Sequence, residues 1–154
     1  MAGSDKIKIP LKEGLWIDSG SPNENPQLIG SQCRNCGEVY FPKKEKRICI
    51  NCQQRNLEEI KLSRRGKIYS FTIVMQRPPI YYKASVPYAL AWVELPEGVR
   101  LETLLTDCTF DDLLVGMDVE LVIEMLFQDE EGNDIVTYKF KPISNAVERK
   151  ARYK

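Results

Sequence analysis

The 154-residue chain contains no histidine. That removes the commonest general base and every Ser-His or Cys-His nucleophilic pair. It has no run of about 18 apolar residues, so no membrane span is expected. The first residues, MAGSDKIKIPLKEGLW, lack the apolar core of a signal peptide. The expected location is therefore cytoplasmic, where thiols stay reduced. Excess charge is missing too, because Lys+Arg and Asp+Glu both total 22. A dedicated nucleic-acid binder gains most of its affinity from phosphate neutralisation and carries a basic excess. Nucleic acid is accordingly an unlikely partner.

What the chain does have is four cysteines in two C-x-x-C pairs, Cys33-Arg34-Asn35-Cys36 and Cys49-Ile50-Asn51-Cys52, separated by twelve residues. In a reducing compartment such pairs are metal ligands or redox groups rather than disulfides. Each C-x-x-C turn sets two sulfurs on one side of a tight loop, and Gly37 gives the first turn backbone freedom. The second pair closes a tetrahedron from the other side of a hairpin. Cys33, Cys36, Cys49 and Cys52 are the expected ligands of one Zn²⁺, with iron as the competing metal. Four thiolates leave no position for water or substrate, so the site is expected to be structural. The second knuckle runs Cys52-Gln53 rather than Cys-Gly and is less regular. The fifth cysteine, Cys108 beside Asp107, reads as a small buried hydrophobe.

The rest of the chain alternates short apolar runs with turn residues. Residues 1–30 carry seven Pro and Gly residues and read as an N-terminal arm, with Trp16 packing on something. Residues 31–61 form the expected zinc ribbon, with a short strand at Val39-Tyr40-Phe41-Pro42 between the cysteine pairs. Five strands follow: Lys67 to Gln76, Tyr88 to Leu95, Val99 to Thr106, Asp118 to Phe127 and Ile135 to Lys141. A helical turn is expected at Phe110 to Leu114. Five strands with a longer connection between the third and fourth suit an OB-fold barrel over residues 62–142. Residues 143–154 make a basic tail. The expected fold class is mainly β, a rubredoxin-like zinc ribbon followed by a five-stranded OB-fold barrel.

Two features suggest contacts. Tyr69 and Phe71 lie two apart on one strand and so share a face; they read as a core or partner-facing pair, with base stacking on an OB-fold as the alternative. The loop RPPIYYKASVP offers Arg77, Tyr81, Tyr82 and Lys83 on a proline-stiffened segment. Tyrosines give contact area at low entropy cost, and the cations can meet phosphates. The carboxylates Asp111-Asp112 and Asp129-Glu130-Glu131 sit in loops or turns, which gives no reason to expect an autonomous hydrolase.

LIGSQCRNCGEVYFP, the second C-x-x-C, GKIYSFTIV, VPYALAWVELPEGVRLETLL and LLVGMDVEL together resemble a known family. It is the family of acyl-CoA-associated proteins with a zinc ribbon followed by an OB-fold, and the resemblance runs from about Leu28 to Pro142. Members of that family are small partners of thiolase-fold enzymes. These include archaeal acetoacetyl-CoA thiolase and hydroxymethylglutaryl-CoA synthase assemblies. They also include bacterial thiolases or aldolases that cleave steroid or aromatic-acid CoA thioesters, among them benzoylsuccinyl-CoA thiolase. The arm IKIPLKEGLW is more similar to the bacterial degradative members than to the short archaeal ones. The resemblance implies a non-catalytic accessory subunit, a thiolase-fold catalytic partner that supplies the active site, and a CoA thioester as ligand of the complex. Loop composition alone suggests that Arg77, Tyr81, Tyr82 and Lys83 face the partner or the CoA. The competing readings are a single-stranded nucleic-acid-binding zinc-ribbon/OB-fold module and an iron electron-transfer ribbon.

Overall fold

The computed structural model describes residues 7–17, 25–76 and 86–143. Among them the regular elements are ten strands and a single 3-10 turn at Phe110–Asp112. No helix of the described residues is long and apolar enough to cross a membrane.

The second half of the chain alternates apolar and polar residues, and the strands bury one face accordingly. β6 (Arg65–Val74), β7 (Tyr88–Glu94) and β8 (Arg100–Leu104) form an antiparallel meander. β9 (Asp118–Gln128) pairs with β6, and β10 (Asp134–Pro142) pairs with β9. A parallel bridge from Leu105 to Phe140 brings the end of β8 against β10. The circular order β6-β7-β8-β10-β9 is that of a five-stranded OB-fold, here a curled sheet closed by one bridge between β8 and β10. Ala89, Ala91 and Val93 of β7, Leu101 of β8, Val119 and Leu121 of β9 and Phe140 of β10 fill the interior. Leu90, Trp92 and Glu94 alternate with the β7 core residues and are less buried, as the two-residue period requires.

The first part of the chain supplies a second sheet. β3 (Gln27–Cys33) is its centre, paired with β2 (Trp16–Ile17) and β4 (Val39–Tyr40), and with β5 (Leu57–Lys61). Pairing with three neighbours explains why five of the seven β3 residues are buried although its sequence, QLIGSQC, is only partly apolar. Gly30 is required in it: a Cβ there would meet the Tyr40 carbonyl oxygen at 2.6 Å. Leu28 of β3 and Leu62 just after β5 belong to the same core as the barrel, and Trp16, Val39, Phe41 and Ile60 pack against it. β1 (Lys8–Pro10) pairs in parallel with the start of β10.

Two polar contacts fix the junction between the sheets. The Glu97 carboxylate, in the turn between β7 and β8, accepts from the Ser63 N–H at 2.6 Å and the Ser63 hydroxyl at 2.7 Å. The Arg64 guanidinium donates to the carbonyls of Pro26 and Leu121 and pairs with Glu120 at 3.4 Å.

One expectation about faces is corrected. A bulge between Ile68 and Ser70 interrupts the β6–β7 register. An inserted residue breaks the alternation, so Tyr69 and Phe71 do not share a face. Tyr69 is exposed, with the Arg100 guanidinium 3.8 Å over its ring, whereas Phe71 packs against the core.

Candidate metal centre

The two C-x-x-C turns are built alike. Cys33 ends β3, and the chain turns back so that the Gly37 N–H donates to the Cys33 carbonyl at 2.9 Å. In the second turn the Gln53 N–H donates to the Cys49 carbonyl at 2.8 Å. Both turn-closing residues hold positive φ, 80° at Gly37 and 63° at Gln53. The left-handed conformation costs glycine nothing but strains a side chain with a Cβ. The missing glycine thus leaves the second turn regular in shape and strained in energy.

Folded this way, the four sulfurs of Cys33, Cys36, Cys49 and Cys52 all lie within 4.8 Å of one another. Cys33 and Cys52 are 3.5 Å apart, and so are Cys36 and Cys49. Those separations are far beyond a disulfide bond of roughly 2.05 Å. They are close to the roughly 3.8 Å edge of a tetrahedron with Zn–S bonds of about 2.3 Å. The donor set suits zinc: four soft thiolates with no open position. Cys33 and Cys49 are buried, Cys52 is half-buried and Cys36 is exposed.

Tyr40 and Asn51 also reach the sulfurs, and spacing alone did not reveal them. The Tyr40 hydroxyl is 3.3 Å from the Cys49 sulfur, and it is also within 3.3 Å of the Asn51 backbone N–H. Since the N–H donates, the hydroxyl proton is free to point at Cys49. The Asn51 side-chain amide lies 3.5 Å from the Cys36 sulfur. Sequence reading placed Tyr40 on a strand but gave it no role. Its signal is only that it is a polar-tipped aromatic on the strand between the cysteine pairs.

The thiols do not titrate alike. The Tyr40 hydroxyl, with backbone N–H groups and Cys36, lowers Cys49 to about 6 against the opposing effect of burial. Tyr40 itself is raised, first by the same contact. The Asn35 side chain, helped by the Gln54 backbone, lowers Cys52. At Cys33 the hydrogen bond from the Cys36 backbone pulls downward, but burial and the Cys52 and Cys36 thiols prevail and push it to about 11. Cys108 lies apart from the cluster, half-buried against the barrel core, and burial with the Asp107 charge raises its thiol. That is the opposite of an activated nucleophile.

The other candidate positions separate. Arg77, Tyr81, Tyr82 and Lys83 lie outside the described residues. Asp129 is a turn-former, accepting from the Glu131 and Asn133 backbone N–H groups and from the Asn133 side chain.

Comparison with known proteins agrees with this anatomy. The family model described as "ChsH2, rubredoxin-like zinc ribbon domain" matches residues 24–58. "ChsH2, C-terminal OB-fold domain" matches residues 59–124. A DUF35 domain-containing scaffold protein of Methanocaldococcus jannaschii is 43% identical over 142 residues, covering 90% of this chain and 99% of the relative. The benzoylsuccinyl-CoA thiolase subunit BbsA of Geobacter metallireducens is 33% identical, covering 91% of this chain and 84% of the relative. Among solved structures, the Ltp2-ChsH2(DUF35) aldolase matches with a TM-score of 0.61 and 27% identity, over 75% of this chain and 84% of that one. The chain belongs to the DUF35 family, in which a ChsH2-type zinc ribbon is followed by an OB-fold.

Proposed function

We propose that this protein is a non-catalytic accessory subunit of a thiolase-type acyl-CoA enzyme complex, in which Cys33, Cys36, Cys49 and Cys52 hold one structural Zn²⁺. One observation carries the reading. Four of the five thiols converge on one closed shell, the fifth is half-buried with a raised pKa, and the chain has no histidine. Thiolase chemistry needs an activated cysteine and a base, so those groups belong to a thiolase-fold partner. The names of the relatives, a scaffold protein, a thiolase subunit and the DUF35 component of an aldolase, support the same role.

In this reading the ribbon and barrel support assembly of the complex and its binding of a CoA thioester, in the cytoplasm. Arg77, Tyr81, Tyr82 and Lys83 are the proposed contacts to the partner or to the CoA. The substrate class is an aromatic or other bulky CoA thioester, with benzoylsuccinyl-CoA as the specific candidate supported by the BbsA relatives. The higher identity to the archaeal scaffold proteins supports the assembly role more strongly than any single thioester.

The test is a tagged pull-down from the native cells with mass spectrometry of what co-purifies. A thiolase-fold chain at near-equal amount is the expected result. Its thiolysis of benzoylsuccinyl-CoA and of acetoacetyl-CoA is then measured with and without this chain. Recovery of nucleic acid and its binding proteins instead would sink the proposal. Metal analysis of the colourless protein should return one zinc per chain, whereas visible absorbance would identify iron.

A further inference from the structure

The chain is neutral overall, yet its cations are not evenly spread. A cleft of about 470 Å³ runs along the ribbon between the segment after β4 and the start of β5. Five cations line it: Arg34, Lys43, Lys44, Arg47 and Arg55. Three carboxylates share it, and two of them are committed. Glu58 binds Arg34 at 2.6 Å and Glu59 binds Lys43 at 3.3 Å. That leaves Lys44, Arg47 and Arg55 facing only Glu45, and none of the three has an ion pair among the described residues. Lys44 is held in place by the Tyr40 ring, 4.7 Å from its ammonium. Its backbone N–H is bound by the Ser31 hydroxyl. Lys44 therefore sits on backbone tied to β3.

We infer that this cleft is a docking surface for an acidic segment of a protein partner. Three features select a carboxylate-bearing peptide over a phosphate ligand or nucleic acid. The cleft keeps its own carboxylates, which a densely charged polyphosphate would meet and which a mixed-charge protein surface can answer. No aromatic side chain lines it, so a nucleobase has nothing to stack on. The chain has no net basic excess to drive binding by counterion release. Arginines presented without a partner match carboxylates bidentately. Exposed rim charges of this kind act mainly by steering association. This inference deepens the accessory-subunit reading, because it names the surface through which the catalytic partner is first engaged.

The test follows backbone amides by NMR in the full-length, metal-containing chain. The probe is an end-blocked hexaglutamate peptide at low salt, with ATP and a thymidine 20-mer run in parallel. The expected result is shifts confined to residues 31–34, 43–47 and 55–59 with the peptide. The Lys44→Glu/Arg47→Glu/Arg55→Glu variant, with its metal content checked, should weaken peptide binding roughly tenfold or more, as should high salt. The Gln versions of the same three substitutions should give an intermediate loss. Absence of shifts, shifts elsewhere, or tighter binding of ATP or the oligonucleotide at the same amides would each overturn the inference. This titration needs no partner, so it can fail while the pull-down succeeds, and the reverse. If a thiolase-fold chain does co-purify, an unchanged association rate with the triple Glu variant also overturns it.

Discussion

The Tyr40 hydroxyl lies 3.3 Å from the sulfur of Cys49, and the Asn51 N–H feeds the same oxygen. The hydroxyl thus donates to a thiolate that it helps to create, since it is the first cause of the lowered Cys49 pKa. A hydrogen bond to a ligand atom typically matters to metal affinity by 10- to 100-fold when lost. Tyr40→Phe keeps the ring under Lys44 and removes both contacts of the hydroxyl, to the Cys49 sulfur and from the Asn51 N–H. It should weaken zinc binding about tenfold, read by competition with a chromophoric chelator, with an unchanged fold. Equal affinity would show that the hydroxyl is a spectator.

Gln53 occupies the position that Gly37 fills in the other turn, with φ of 63° against 80°. A non-glycine residue in this region is strained by about 1–3 kcal/mol. Glycine returns part of that relief through its greater unfolded-state freedom, about 0.5–1 kcal/mol. Gln53→Gly should therefore stabilise the metal-loaded protein by about 1 kcal/mol. For a chain of this length that is a Tm rise of roughly 2–4 °C. A fall in Tm would mean that the Gln53 side chain makes a compensating contact.

The barrel was legible because its strands are buried on one face. Each of the five expected runs lies within two residues of β6 to β10 at both ends. β3 and β5 were not legible. QLIGSQC and LEEIK show no clear alternation, and burial of the first comes from neighbours far away in sequence. The sulfur cluster was readable from spacing, but Tyr40 and Asn51 reach it through the pairing of β4 with β3 and the shape of the second turn. The face of Tyr69 was misread because a bulge leaves no mark in a strand of apolar and polar residues.

Asp129 gives a pH dependence with a definite sign. Its carboxylate accepts from the Asn133 backbone N–H at 2.7 Å, then from the Asn133 side chain and the Glu131 N–H, and its pKa falls below the ordinary 3.8. A depressed carboxyl stabilises the folded turn above its unfolded pKa, and that contribution is lost as pH falls through the lower folded value. NMR titration of the Asp129 carboxyl carbon should give a midpoint below 3.8, with the Asn133 amide moving in step. Asp129→Asn should remove this acid-side dependence. A midpoint at or above 3.8 would refute the assignment.

Withdrawing the zinc should unfold the chain only in part, and the boundary can be stated. The ribbon's own cluster is Cys33, Cys49 and Leu57, with Tyr40 and Cys52 against it. So few apolar groups cannot offset the entropy of ordering two turns, and a bound metal would supply that free energy. Leu28 and Leu62 are instead embedded in the barrel core with Ile68, Val93 and Phe140. The first half of β3 is therefore held by the barrel, and a bound metal would hold the second half. After chelation, hydrogen exchange should accelerate at Gly37 and Gln53, whose amides close the two turns, and at Arg34 and Cys49, which donate to the Asn56 and Gln54 carbonyls. Protection should persist at Leu62 and in β6 to β10. The break should fall between Leu28 and Cys33, near Ser31, where β3 passes from the barrel core to β4. Uniform loss across the chain would mean that the two sheets fold as one cooperative unit. Unchanged exchange in the turns would mean that the thiols hold no metal that matters to the fold.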